Sequence, residues 1–240
     1  MDFFTTLLFA FMGGILPALL WLYFWLKEDE HPEPKGLIVL SFFYGMLAVP
    51  VALVSQWVIN FLFLRGGDIE LMFHTSYPAA ISVLVIWATI EEVLKYVAAN
   101  NAGLTKKEND EPVDVMIYLI TAALGFAALE NTLFIFVPIL TGDITTALIT
   151  GNLRFIGATL LHVASSALIG VFAAFSYYKS KEIKKHYLFT GFFLSVALHT
   201  IFNSFIIRSE QFTLVGFATV WIVIVLIIIL FERIKKIYKR

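Results

Sequence analysis

Cysteine is absent from this chain of 240 residues, which excludes disulfides, a thiolate nucleophile and cysteine-ligated zinc. Charge is scarce as well. Asp, Glu, Lys and Arg together make up 15% of the residues, where a soluble domain carries about 25%. No cluster of Lys and Arg extends beyond the short connections, so nucleic-acid binding has no support. The first apolar segment has no basic residues ahead of it and runs to Leu26, too long for the core of a cleaved signal. It reads as a retained membrane helix.

Apolar residues fill the space that charge leaves. They account for 60% of the chain, 24 of them Phe, and the mean hydropathy is +0.86. A bilayer-spanning helix needs about 20 mainly apolar residues. Seven stretches qualify, near residues 3–26, 37–64, 78–100, 113–138, 155–178, 187–207 and 211–231. The expectation is an all-α, polytopic transmembrane helix bundle forming one membrane domain, with lipid as its principal surroundings. The connections include Lys27–Lys35 with its His31-Pro32-Glu33-Pro34 run, Arg65-Gly66-Gly67-Asp68, Lys106–Pro112 and Lys179–Lys185. Residues Thr141–Asn152 read as a loop or a short interfacial helix on the outer face. Of the 17 Lys and Arg, thirteen lie in connections 27–36, 101–112, 179–186 and the tail after 231. The opposite connections hold Arg65, Arg154 and Arg208, and Lys95 lies within a helix. The positive-inside rule then puts the N-terminus outside and the C-terminus in the cytoplasm.

Ionisable groups at hydrocarbon depth cost about 2.5–3.5 kcal/mol or more, so each is a functional candidate. The third helix carries Glu91, Glu92 and Lys95. Adjacent helix positions differ by about 100°, so the two carboxylates point in different directions, one toward a reaction centre and one toward support. Lys95 is within reach of either. The fourth helix carries Glu130 and Asn131 after Gly125-Phe126-Ala127-Ala128-Leu129, the fifth carries His162 followed by Ser165 and Ser166, and the sixth carries His199 and Asn203 on one face. Each alone has a packing explanation: a buried ion pair, a shared proton, a hydrogen-bonding strut. Together they share a level. With each helix midpoint at the bilayer centre, Glu91 falls about 3 Å to the cytoplasmic side, His199 about 3 Å to the outer side, and Glu130 and His162 about 6 Å to the outer side. Struts need no common depth.

Carboxylates, imidazoles and an amide without a thiol suit hydrolysis. A Glu can take a proton from water, and a His/Asn pair can stabilise an oxyanion. If a metal is used, zinc accepts His and Glu with an open fourth position, and Glu130, His162 and His199 would make the set. The His-Glu-x-x-His zinc helix, the Gly-x-Ser-Gly serine site and the Gly-x-Gly-Asp aspartyl site are all missing; Gly67-Asp68 and Gly142-Asp143 lie in connections.

The Glu91-Glu92-x-x-Lys95 run, Phe126-x-x-x-Glu130-Asn131, His162 and His199-x-x-x-Asn203 resemble the motif set of PrsW-type intramembrane proteases. Trp25 followed by His31-Pro32-Glu33-Pro34 is similar to the start of those proteins. The resemblance covers nearly the whole chain. It implies a multi-pass protease of the bacterial cell membrane that makes the first cut in a single-span substrate such as an anti-sigma factor. Such proteins are in turn similar to the CAAX-processing proteases and to a non-catalytic subunit of gamma-secretase. By the CAAX likeness Glu91 is the base, Glu92 and Lys95 support it, and His199 and Asn203 bind the oxyanion. The chain departs from the CAAX pattern at Glu130, where those enzymes have His. Two other readings compete. A non-catalytic scaffold of the same fold does not need a spare carboxylate. A proton-coupled transporter would show repeated halves, and none is found.

Overall fold

The computed structural model describes residues 2–64, 77–208 and 210–237. The connection Arg65-Gly66-Gly67-Asp68 lies outside the described residues. The described residues form helices α1 (Phe3–Lys27), α2 (Lys35–Ile59), α3 (Tyr77–Ala99), α4 (Pro112–Leu140), α5 (Ile144–Leu153), α6 (Thr159–Phe175), α7 (Lys181–Arg208) and α8 (Glu210–Ile234), with no strand among them. Single π-helical turns extend α2 through Asn60–Leu64, extend α3 through Asn100–Leu104, and join α5 to α6 through Arg154–Ala158. Six helices among the described residues are long and apolar enough to cross a membrane. Helix α3 has 23 residues but carries Glu91, Glu92 and Lys95 in its second half. The protein is a multi-pass, all-α membrane bundle.

The stretch Thr141–Asn152 is helical for most of its length. Gly142, at φ 84°, turns the chain after α4. Asp143 then caps α5, its Oδ1 accepting from the Thr146 amide at 3.0 Å, a cap that satisfies one of the orphan N–H groups of a first turn. Residues Ile144–Phe175 run on as 32 residues of helix. The fifth span therefore begins about three turns before the apolar run that marked it in the sequence. Helix α7 likewise starts at Lys181, because Lys181, Glu182, Lys184 and Lys185 are good helix formers despite their polarity.

Helix α4 is the axis. Residues 112–128 of it are all buried, and the helix packs against α1, α2, α3, α5 and α6. Without water, such packing depends on small residues that let backbones approach. A Cβ on Gly125 would sit 1.9 Å from the Phe42 carbonyl oxygen, and one on Gly45 would sit 2.0 Å from that of Ala122. Helices α2 and α4 thus touch backbone to backbone, one turn from Phe126 and Glu130. Overpacking a core costs about 1–3 kcal/mol, and here the clash is with main chain that cannot rotate away. Gly125→Val is expected to reach or exceed that range, read as a lower thermal midpoint in detergent and reduced accumulation in the membrane. A variant as stable as wild type would show that the α2–α4 crossing is looser than described.

The His31-Pro32-Glu33-Pro34 run pins the α1–α2 connection to the same axis. The Tyr118 hydroxyl of α4 donates to the buried Glu33 carboxylate. Burial pushes the Glu33 carboxyl up from its ordinary value, with the Tyr118 bond opposing. Pro34 stands at the N-cap of α2, where its missing N–H is no loss.

Candidate active site

The polar groups of α3, α4, α6 and α7 meet at the wall of a cavity of about 390 Å³. Glu91, Glu130, His162, His199 and Asn203 all line it, with Arg154 among them. Glu92 and Lys95 lie behind that wall, fully buried. The sequence-derived division of the Glu pair therefore appears as geometry: Glu91 faces the cavity and Glu92 does not.

Each carboxylate has a different partner. Lys95 Nζ donates to Glu92 Oε1 at 2.5 Å. Glu92 also accepts from Ser165 Oγ at 2.9 Å and from Ser166 Oγ at 3.3 Å. Arg154 Nη2 donates to Glu130 Oε2, and Arg154 Nε donates to Asn131 Oδ1 at 2.6 Å. Among the described residues the hydrogen-bond donor to Glu91 is neutral, the Gln56 side-chain amide, 2.7 Å from its Oε1. Its Oε2 is buried and has no hydrogen-bond partner among the described residues. Three carboxylates thus share two cations, and both cations are held elsewhere. Among the described residues Glu91 has no cation hydrogen-bonded to it and keeps an unused lone pair at the cavity.

These pairings fix the two imidazoles. Glu92 is matched by an ammonium, so its oxygens only accept, and His199 Nδ1, at 2.6 Å, must donate to it. His199 Nε2 faces Glu91 Oε2 at 3.5 Å, and in the neutral imidazole it carries the lone pair. Glu130 is matched by a guanidinium, so His162 Nε2, at 3.0 Å, donates to it. His162 Nδ1 is left as an acceptor, 3.1 Å from Lys95 Nζ and 4.0 Å from Glu91 Oε2. The rings lie edge to face, centroids 5.4 Å apart. Each His has a carboxylate behind it and Glu91 in front.

Glu91, His162 and His199 each offer a donor atom within 4.8 Å of the others. Tetrahedral zinc with bonds of about 2.0–2.1 Å separates its donors by roughly 3.3–3.4 Å, close to the His199–Glu91 spacing. The unpartnered Glu91 Oε2 and His199 Nε2 suit a divalent metal, with a carboxylate orienting each ring, and His162 Nδ1 would join them once released from Lys95 Nζ, 3.1 Å away. The set differs from the one expected from sequence. Glu91 stands where Glu130 was expected, and Glu130 sits behind His162.

A family model described as PrsW family intramembrane metalloprotease matches residues 33–230. The chain belongs to the PrsW family. Proteins named Protease PrsW are similar along most of their length. The one from Geobacillus kaustophilus is 29% identical over 203 residues, 83% of this chain and 80% of that protein. The one from Oceanobacillus iheyensis is 28% identical over 227 residues, 93% of this chain and 94% of that protein. The one from Bacillus subtilis is 30% identical over 124 residues, about half of each. No solved structure matches. As a PrsW-family member the chain is an intramembrane peptidase and a multi-pass protein of the bacterial plasma membrane.

Two groups that hold the site carboxylates of this PrsW protein escaped sequence reasoning. Gln56 is one of a few polar residues in the long apolar run of α2, and an amide at that depth was the available signal. Arg154 looked like a loop charge because Gly151-Asn152 precede it; the continuous helix carries it into the cavity wall. Gln56 is the sole hydrogen-bonding group on Glu91 among the described residues, so it sets where Oε2 points. Gln56→Leu keeps the bulk and removes the donor. Losing such a support costs about 10–100-fold in activity, so a drop of that order in kcat is expected, with KM and thermal stability nearly unchanged. Wild-type kcat in that variant would mean that Glu91 is held by packing alone.

Proposed function

We propose that this protease cuts a single-span, membrane-anchored regulatory protein of the anti-sigma-factor type, and that Glu91 acts on the attacking water. The observation that carries this reading is the free Oε2 of Glu91, which has no cationic partner among the described residues and faces two oriented imidazoles at a cavity of about 390 Å³. The supporting groups follow from the contacts. Glu92, with Lys95, Ser165 and Ser166, holds His199; Glu130, with Arg154 and Asn131, holds His162. Asn203, on the face of α7 that carries His199, has a side-chain amide able to donate to the substrate carbonyl oxygen. Glu91, His162 and His199 would hold a divalent metal, which when bound would lower the pKa of the attacking water toward neutrality. The water oxygen bonds to the carbonyl carbon, and its proton ends on the departing amide nitrogen as the C–N bond breaks.

Orientation supports the substrate class. With the Lys- and Arg-rich connections in the cytoplasm and α3 counted as a span beside the six, the cavity extends from Glu91 near the bilayer centre into the outer half of the membrane, along Leu84 and Trp87 of α3 and the last part of α7. A substrate with one span and an outer domain would present its bond there. The test is co-expression with a single-span, anti-sigma-like substrate tagged at both ends, read by fragment size. A fragment cut in the outer half of the span is expected. A fragment cut on the cytoplasmic side would overturn the orientation, and an uncut substrate would overturn the assigned substrate class.

A further inference from the structure

We propose that Arg154 is a positioning residue for the peptidase reaction, acting on His162 through Glu130; this rests on the reading of His162 as a member of the water-activating group. The side chain is held at three points by one helix. Its Nη2 donates to Glu130, its Nε donates to Asn131 Oδ1 at 2.6 Å, and its guanidinium carbon lies 3.9 Å from the centre of the Phe134 ring. A guanidinium is suited to such a grip, because its planar fork gives two directed donors and a face that stacks; an ammonium gives neither. Asn131 is itself anchored, its Nδ2 donating to Thr159 Oγ1 at 2.8 Å.

The grip ends on one atom. Glu130 Oε2, which takes Arg154 Nη2, is also the oxygen that His162 Nε2 reaches at 3.0 Å. Glu130 is a short bridge from the guanidinium to the imidazole, and fixing Oε2 fixes the ring. The backbone supports the arrangement. Arg154 begins the single π-helical turn between α5 and α6, and such turns mark places where a helix is re-registered for function. Within that turn Gly157 lies against the Phe217 ring, where a Cβ would come within 2.3 Å. The turn is thus wedged between α8 on one side and the α4 grip on the other. His162 follows one turn into α6, so the residue that holds Glu130 and the residue that Glu130 holds share one continuous helix.

The test uses the full chain in detergent, with wild type, R154Q, R154K, E130Q and the E130Q/R154Q double variant. Cleavage of the single-span substrate and Zn²⁺ affinity by chelator competition are both read. R154Q is expected to lower kcat by about 10–100-fold, the usual cost of removing a support behind a ligand, with KM unchanged and Zn²⁺ affinity lowered by a similar factor. R154K is expected to recover part of both. The double variant should be no worse than the poorer single one, because Arg154 acts only through Glu130. Should R154Q fail to accumulate, Asn131→Ala, which frees the Nε end of the grip and keeps the charge, carries the same test. Multiplied losses in the double variant, a change in KM alone, or wild-type values in R154Q would each overturn the proposal. Wild-type protein that neither cleaves nor retains Zn²⁺ would overturn the reading beneath it.

Discussion

Glu91→Gln is expected to abolish cleavage, a loss of about 10²–10⁴-fold or more, while the protein still folds and inserts. The reason for the second half is as specific as that for the first. Glu91 has no cation of its own, so neutralising it strands no charge, and an amide of the same size can still accept from Gln56 Nε2 through its oxygen. Glu92→Gln, one residue on, has the opposite profile. It leaves Lys95 buried beside a neutral partner, and breaking a buried pair costs about 3–5 kcal/mol, so its signature is poor accumulation or a lowered thermal midpoint. The two variants, compared for thermal stability and for cleavage, separate the carboxylate that does chemistry from the one that holds it. A cleaving Glu91→Gln protein would remove Glu91 from the centre. A Glu92→Gln protein as stable as wild type would show that His162 Nδ1, 3.1 Å from Lys95 Nζ, is partner enough for that ammonium.

The identity and helical setting of the polar centre were legible because lipid makes polarity expensive. A residue such as Glu130 or His162 within an apolar run has few bland explanations, and the depth estimate placed four helices at one level. The contacts were not legible. Sequence spacing says that Lys95 reaches either Glu91 or Glu92; only the rotation of α3 against α6 and α7 decides for Glu92, because Ser165, Ser166 and His199 surround that carboxylate. That Glu130 pairs with a guanidinium was not legible for a related reason. Its partner Arg154 is 24 residues away, beyond a stretch whose Gly142, Gly151 and Asn152 read as a connection. Hydropathy marks where a span is apolar, not where its helix begins, so the first turns of that long helix were invisible. Gln56 was hidden by its ordinariness: an uncharged amide near a helix end is common, and its role exists only because α2 packs against α3.

His199 carries the second large effect, and its variants distinguish two chemistries. As an oxyanion donor it would supply about 2.7–4 kcal/mol of transition-state stabilisation. Its Nδ1 donates to Glu92 at 2.6 Å, so in the neutral imidazole Nε2 carries a lone pair facing Glu91. A lone pair cannot donate to an oxyanion, but it can hold a metal. His199→Ala is therefore expected to lose activity and bound zinc together, with kcat down by at least the ~10²–10³-fold seen when an oxyanion donor is removed. His199→Gln keeps a side-chain N–H donor but lacks the imidazole. It should recover neither property if His199 is a ligand, and a substantial part of the activity if His199 is a donor. Zinc content by elemental analysis and kcat, measured on the same preparations, decide between them. Zinc retained in His199→Ala alongside lost cleavage would return His199 to the oxyanion role, with Glu91 as a base that needs no metal beside it.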